Sequence, residues 1–179
     1  MDNSTRDKLT YMLYVFENEK TQPTTPEKTV SGADADELSV TLSKSLLPNT
    51  WYNWFVEVVD EDGNHVLSDT LSFKTKENTA PEFPSNGRPN NETVEVSLLP
   101  SKVNLNWNCT DVDGDILKYN VYLKKPGTTT FSQVAKDISV SNIDVTVSSE
   151  GAYSWYVEAY DPHGGYSNSN TWIFNVKKK

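Results

Sequence analysis

The sequence holds one cysteine, Cys109, in 179 residues. No disulfide can close within the chain, and cysteine usage leaves the redox compartment open. No apolar run approaches the roughly 20 residues of a membrane-spanning helix. No apolar leader follows Met1 either, and in a secreted protein that implies a mature or excised piece. Histidine is restricted to His65 and His163, and arginine to Arg6 and Arg88. Positive charge is in short supply: 16 Lys and Arg face 25 Asp and Glu, for a net charge of −9. The deficit is uneven, with 7 basic against 14 acidic residues before residue 79 and 9 against 11 after it. An acidic surface repels phosphate backbones, which excludes nucleic acid as a partner. The one basic cluster, Lys177-Lys178-Lys179, is too short to reverse that.

Aromatic residues are plentiful by contrast. Five Trp, nine Tyr and six Phe each bring a large area to bury, so an aromatic-rich folded core is expected. The length suits one or two domains.

An internal repeat organises the chain. Tyr52-Asn53-Trp54-Phe55-Val56-Glu57-Val58-Val59-Asp60 recurs 101 residues later as Tyr153-Ser154-Trp155-Tyr156-Val157-Glu158-Ala159-Tyr160-Asp161. The same offset pairs Gly63 with Gly164, Ser68 with Ser169, Thr70 with Thr171 and Phe73 with Phe174. Leu9 to Tyr14 matches Leu117 to Tyr122 at an offset of 108, so the first copy carries a seven-residue insertion between these blocks.

Each copy alternates with period two, the signature of half-buried strands. Val103, Leu105, Trp107 and Cys109 alternate with three asparagines. The runs Tyr119-Val121-Leu123, Leu38-Val40-Leu42, Tyr52-Trp54-Val56-Val58 and Trp172-Phe174-Val176 alternate likewise. Turn signals at Asp62-Gly63, Asp113-Gly114, Pro126-Gly127 and Gly164-Gly165 separate them. The expected fold is all-β: two tandem antiparallel β-sandwiches. The expected domains are 1–76, a linker at 77–82 and a second module at 83–179. Pro81 and Pro84 stiffen the chain from that short linker into the second module, and the modules are expected to run end to end.

Leu46-Leu47-Pro48-Asn49-Thr50-Trp51-Tyr52 resembles the L-x-P-x-T-x-Y signature of fibronectin type III modules. By that resemblance Tyr52 and Tyr153 form tyrosine corners, Trp107 is the core tryptophan of the second strand, and Tyr119 and Val121 face inward from the third. The segment from Trp107 to Tyr119, with Asp111-Val112-Asp113-Gly114-Asp115 inside it, is similar to a pattern in bacterial surface-exposed modules. The resemblance implies an extracellular, cell-surface or secreted setting. It specifies a fold far more than a function.

Asp111, Asp113 and Asp115 could offer hard oxygen ligands to calcium. The glycine and distal glutamate of an EF-hand loop are missing, and Asp-Gly favours a hairpin turn between two antiparallel strands, which is the expected reading. No change in melting temperature with calcium is therefore expected. Asp60-Glu61-Asp62-Gly63 poses the same choice in the first copy. No other metal or cofactor is indicated. His65 and His163 read as surface loop residues, and no nucleophile or acid stands at motif spacing beside them, so no catalytic residue is assigned. Phe55, Tyr156 and Tyr160 lie out of phase with the core-facing residues and are candidate ligand-facing aromatics.

The expected function is a non-catalytic structural or adhesion spacer from a larger surface or secreted protein. The alternative is an accessory carbohydrate- or protein-binding module attached to a secreted enzyme. Applying the 108-residue offset to Trp107 lands before residue 1, so the first module is expected to lack its two opening strands, with Met1 marking an excised fragment. Its inward residues would then bare an apolar patch, and Leu38 to Leu42 would be an open edge strand. The partner expected there is a second copy of the chain, giving a homodimer.

Overall fold

The computed structural model describes residues 8–33 and 37–179; Met1 lies outside them. The chain divides into two units, Met1–Glu77 and Asn78–Lys179.

The described part of the first unit forms one antiparallel sheet. Its strands are β1 (Leu9–Glu17), β2 (Lys28–Ala33), β3 (Trp51–Val59), β4 (His65–Leu67) and β5 (Leu71–Lys74). They lie in the order β2-β1-β3-β4, with β5 also on β3. Along β3, Tyr52, Trp54, Val56 and Val58 share a face, because successive side chains of a strand alternate. Registry pairs Val15 with Trp54, Leu13 with Val56 and Tyr11 with Val58, so β1 adds its apolar residues to the same face.

The second unit contains nine strands: β6 (Ser85–Arg88), β7 (Glu92–Val96), β8 (Ser101–Asn108), β9 (Lys118–Lys124), β10 (Ser132–Ile138), β11 (Asn142–Val147), β12 (Gly151–Tyr160), β13 (Tyr166–Asn168) and β14 (Trp172–Lys178). One sheet runs β10-β9-β12-β14-β7, with β13 also on β12, and the other runs β11-β8-β6. All pairs are antiparallel except β7 on β14. Two facing sheets with this strand order make a sandwich of the fibronectin type III kind.

The asparagine alternation of β8 has its cause here. Val103, Leu105 and Trp107 are buried, whereas Asn104, Asn106 and Asn108 face out. Trp107 packs edge-on against Tyr119, with ring centroids 5.3 Å apart, and lies 6.3 Å from Trp155. Tyr153, Trp155, Val157 and Phe174 complete the core, each at most 1% exposed. Gly87 has no room for a side chain, since a Cβ there would run into the Trp172 ring.

Both tyrosine corners form. The Tyr52 hydroxyl accepts from the Leu47 N–H at 2.9 Å. The Tyr153 hydroxyl accepts from the N–H groups of Ser148 and Ser149 at 3.2 and 3.3 Å and donates to the Ser149 carbonyl at 3.1 Å. Tyr153→Phe removes all three bonds without changing ring volume. It is expected to cost about 1 kcal/mol, read as a lower urea midpoint at unchanged slope.

Residues 38–42 are not a strand, contrary to the alternation of Leu38, Val40 and Leu42. The reason is a missing partner. In the second unit the counterpart, β11, pairs only with β8, and the first unit's described residues contain no strand equivalent to β8.

Candidate functional site

The acidic loop between β8 and β9 begins as a turn. The Asp111 carboxylate accepts from the Asp113 N–H at 2.8 Å, and Gly114, with φ of +80°, donates to the Asp111 carbonyl at 3.2 Å. It is not a hairpin, because β8 and β9 belong to different sheets; the loop crosses from one layer of the sandwich to the other.

That crossing brings Asp111 and Asp115 beside Asp161, at the end of β12. One carboxylate oxygen from each lies within 4.8 Å of the others. Asp113 is not part of the group. Its Oδ2 accepts from the Thr79 N–H at 2.7 Å, so it holds the segment that leads into the unit. Asp161 does similar work: its Oδ2 accepts from the Asn78 amide at 2.8 Å, and its Oδ1 from the N–H groups of His163 and Gly165 at 2.8 and 2.9 Å. Burial disfavours its charge, but these donated bonds outweigh burial and hold its pKa below the ordinary carboxylate value. Gly165 is as close-packed as the site permits, since a Cβ there would lie 2.9 Å from Ala80 Cα and 3.0 Å from the Asn78 amide.

Two oxygens of the group lack donors. The Oδ2 atoms of Asp111 and Asp115 are buried and accept no hydrogen bond. Buried carboxylate oxygens without donors are costly, and three carboxylates at this spacing suit a hard cation with ligand distances of about 2.3–2.6 Å. Asp111, Asp115 and Asp161 are therefore the residues that could hold one. His163 is not the free surface histidine that its loop position suggested: its ring is mostly covered, and Nε2 lies 3.8 Å from Asp115 Oδ1.

The first unit's corner is different. Asp60 matches Asp161 in the repeat, yet it is fully used by its own turn, accepting from the N–H groups of Asp62 and Asn64 at 3.0 and 2.8 Å and from the Asn64 amide at 2.9 Å. The first unit's segment Asp60-Glu61-Asp62 contributes no convergent group of acids.

Outward aromatics form the same ring stack in both units. Tyr14 lies on Phe55 with centroids 4.6 Å apart, and Tyr122 lies on Tyr156 at 4.7 Å. A glutamate anchors each: the Tyr14 hydroxyl donates to Glu57 at 2.9 Å, and those of Tyr122 and Tyr160 donate to Glu158 at 3.0 and 2.6 Å. Phe55 is only 4% exposed, so it offers no platform to a ligand. Tyr156 is half-buried beneath Tyr122 and Phe131. Tyr160 stacks on the exposed Tyr166.

Cys109 is half-buried, and its thiol donates to the Glu82 carbonyl at 3.2 Å. Burial above all pushes its pKa up to about 11. Thiolate is the reactive form, so alkylation by iodoacetamide at pH 8 should be at least about tenfold slower in the folded chain than in urea. Equal rates would contradict this placement.

Sequence reasoning named Asp111 and Asp115 but missed Asp161. The available signal was the repeat itself, which puts an aspartate at the end of the same strand in both copies.

No family model matches the sequence. Among solved structures, the chain is similar to the FN1-FN3 domains of chicken CNTN1, at 17% identity and a TM-score of 0.44, over 95% of this chain and 57% of that one. It is also similar to fibronectin(III)-like modules of Clostridium thermocellum CbhA, at 15% identity and a TM-score of 0.42, over 93% and 78% of the two chains. An Fn3-like protein from Clostridium thermocellum is 23% identical with a TM-score of 0.38, over 56% of this chain and 98% of that one. The chain spans a little over half of the chicken chain. The fibronectin type III-like arrangement of this molecule rests on its own strand order and tyrosine corners.

Proposed function

We propose that this chain is a pair of non-catalytic modules acting as an extracellular structural or adhesion spacer within a larger surface or secreted protein. One observation carries the reading: the polar groups gathered at the mouth of the second unit hold its own connecting segment. Asn78 and Thr79 are bonded to Asp161 and Asp113, and the Glu82 N–H donates to the Thr110 carbonyl at 2.9 Å. Acids spent on fixing the backbone of a connecting segment serve geometry rather than turnover. The group formed by Asp111, Asp115 and Asp161 takes a calcium-like cation in this reading, and the cation tightens the same clamp. No helix is long and apolar enough to cross a membrane among the described residues.

A second reading, an accessory module for carbohydrate or protein, is favoured by one feature, the Tyr160–Tyr166 stack with its exposed outer ring. Polysaccharide pull-down and a glycan array separate the two. A spacer retains nothing above background, whereas saturable retention that is lost in Tyr166→Ala supports the accessory module.

A further inference from the structure

The strands β1, β3, β4 and β5 of the first unit repeat β9, β12, β13 and β14 of the second, and they pair in the same register. Tyr11, Leu13 and Val15 face Val58, Val56 and Trp54, as Tyr119, Val121 and Leu123 face Ala159, Val157 and Trp155. What lies over the two faces differs. In the second unit β8 covers the face, and Val121, Trp155 and Val157 are fully buried. In the first unit Leu13, Trp54 and Val56 are only half-buried and line an open groove of about 580 Å³.

Three features of that groove describe its occupant. Trp107 of β8 sits against Tyr119 and Trp155, and the first unit keeps both walls of that seat as Tyr11 and Trp54, which line the groove. Leu38, Val40 and Leu42 also line it, yet their backbone belongs to no strand, whereas β11 pairs antiparallel with β8. On the far side β5 pairs, among the described residues, only with β3, whereas its counterpart β14 carries β7 along its other edge. In the second unit one continuous stretch, from β6 through β8, supplies every missing contact. A second copy of the chain fits less well. Face-to-face packing of two sheets would leave residues 38–42 without backbone partners. It would also bring together two units each with 7 basic and 14 acidic residues before residue 79. Residues 85–108 carry two charges of each sign and bring no such repulsion.

We propose that the groove of the first unit receives an extended segment of the β6-to-β8 kind from outside that unit. Its apolar residues alternate, it pairs antiparallel with residues 38–42, and it seats a tryptophan between Tyr11 and Trp54. This is recognition by strand addition: the backbone supplies the bonds and alternate side chains supply specificity.

The test titrates the full chain into a fluorescently labelled synthetic peptide of residues 85–108 and reads anisotropy, with sedimentation to count chains. The expected result is saturable one-to-one binding to a monomeric chain. Replacing Leu105 and Trp107 by Asn in the peptide, or Val56→Asp in the chain, should weaken it more than tenfold, as loss of a central buried anchor does. Because the peptide variant leaves the chain untouched, a misfolded Val56→Asp chain does not obscure the result. Absence of binding overturns the proposal. So does binding indifferent to the peptide substitutions, or a chain that sediments as a dimer and excludes the peptide.

Discussion

Trp155→Ala is expected to remove about 3–5 kcal/mol from the stability of the second unit, the usual loss for a large buried aromatic. The residue has no exposure, and its ring lies 4.5 Å from that of Trp172 and 6.3 Å from that of Trp107. Its indole N–H also donates to the Pro89 carbonyl at 3.0 Å, so truncation leaves a cavity and an unpaired acceptor together. A domain of this size holds about 5–15 kcal/mol in total, and the loss is a large part of it. The equivalent change in the first unit, Trp54→Ala, is expected to cost less, because Trp54 borders an open groove and leaves no closed cavity. Urea unfolding of the two variants reads the difference. A Trp155→Ala loss below about 1 kcal/mol would contradict the core described here.

Calcium at 5 mM is expected to raise the melting temperature of the second unit by several degrees. For a weak calcium site with a dissociation constant of about 0.1–1 mM, linkage at that concentration contributes about 1–2 kcal/mol. The cause is the pair of buried Oδ2 atoms on Asp111 and Asp115 that accept no hydrogen bond. Asp115→Asn should abolish the shift, since an amide replaces a charged ligand. Asp113→Asn should preserve it, because that carboxylate faces the Thr79 N–H instead. Magnesium at the same concentration should do less, as it demands a tighter octahedron. A flat response to calcium would return the loop to a plain interlayer turn.

The fold of the second unit was legible because most of its core-facing residues obey one rule, although β10, paired to β9 through two register shifts, does not. The asparagine-separated residues Val103, Leu105 and Trp107 turn inward as period two requires, and Tyr153, Trp155 and Val157 do the same. Both corner tyrosines follow from their place six residues after a leucine or valine. The same rule misreads Leu38 to Leu42, since alternation records which side chains are apolar and says nothing of whether the backbone has a partner. The acid site was half legible for a related reason. Spacing along one loop suggested Asp111, Asp113 and Asp115 as a set, but ligand geometry is set in space. A turn sends Asp113 toward Thr79, and the sandwich brings Asp161 in from a strand 46 residues further on from Asp115. His163, in the same loop as Asp161, was misjudged for the same reason. Phe55, Tyr156 and Tyr160 lie on β3 and β12 out of phase with the inward residues, but Phe55 is buried against Tyr14 instead of facing a ligand. Their pairing into stacks depends on cross-strand register, which the repeat alone does not supply.

Hydrogen exchange on the intact chain tests most directly the claim that each unit has a sheet of the same kind but that, among the described residues, only the second unit's sheet is covered. The backbone amides of residues 142–147 lie in β11, paired with β8 inside a closed sandwich, and should exchange a thousandfold or more slowly than free peptide, roughly as the stability of a small domain requires. The amides of residues 38–42 hold the matching place without a strand partner. They should exchange at close to the free-peptide rate until a strand of the β8 kind is supplied. Equal, strong protection of both segments in the unliganded chain would contradict the account.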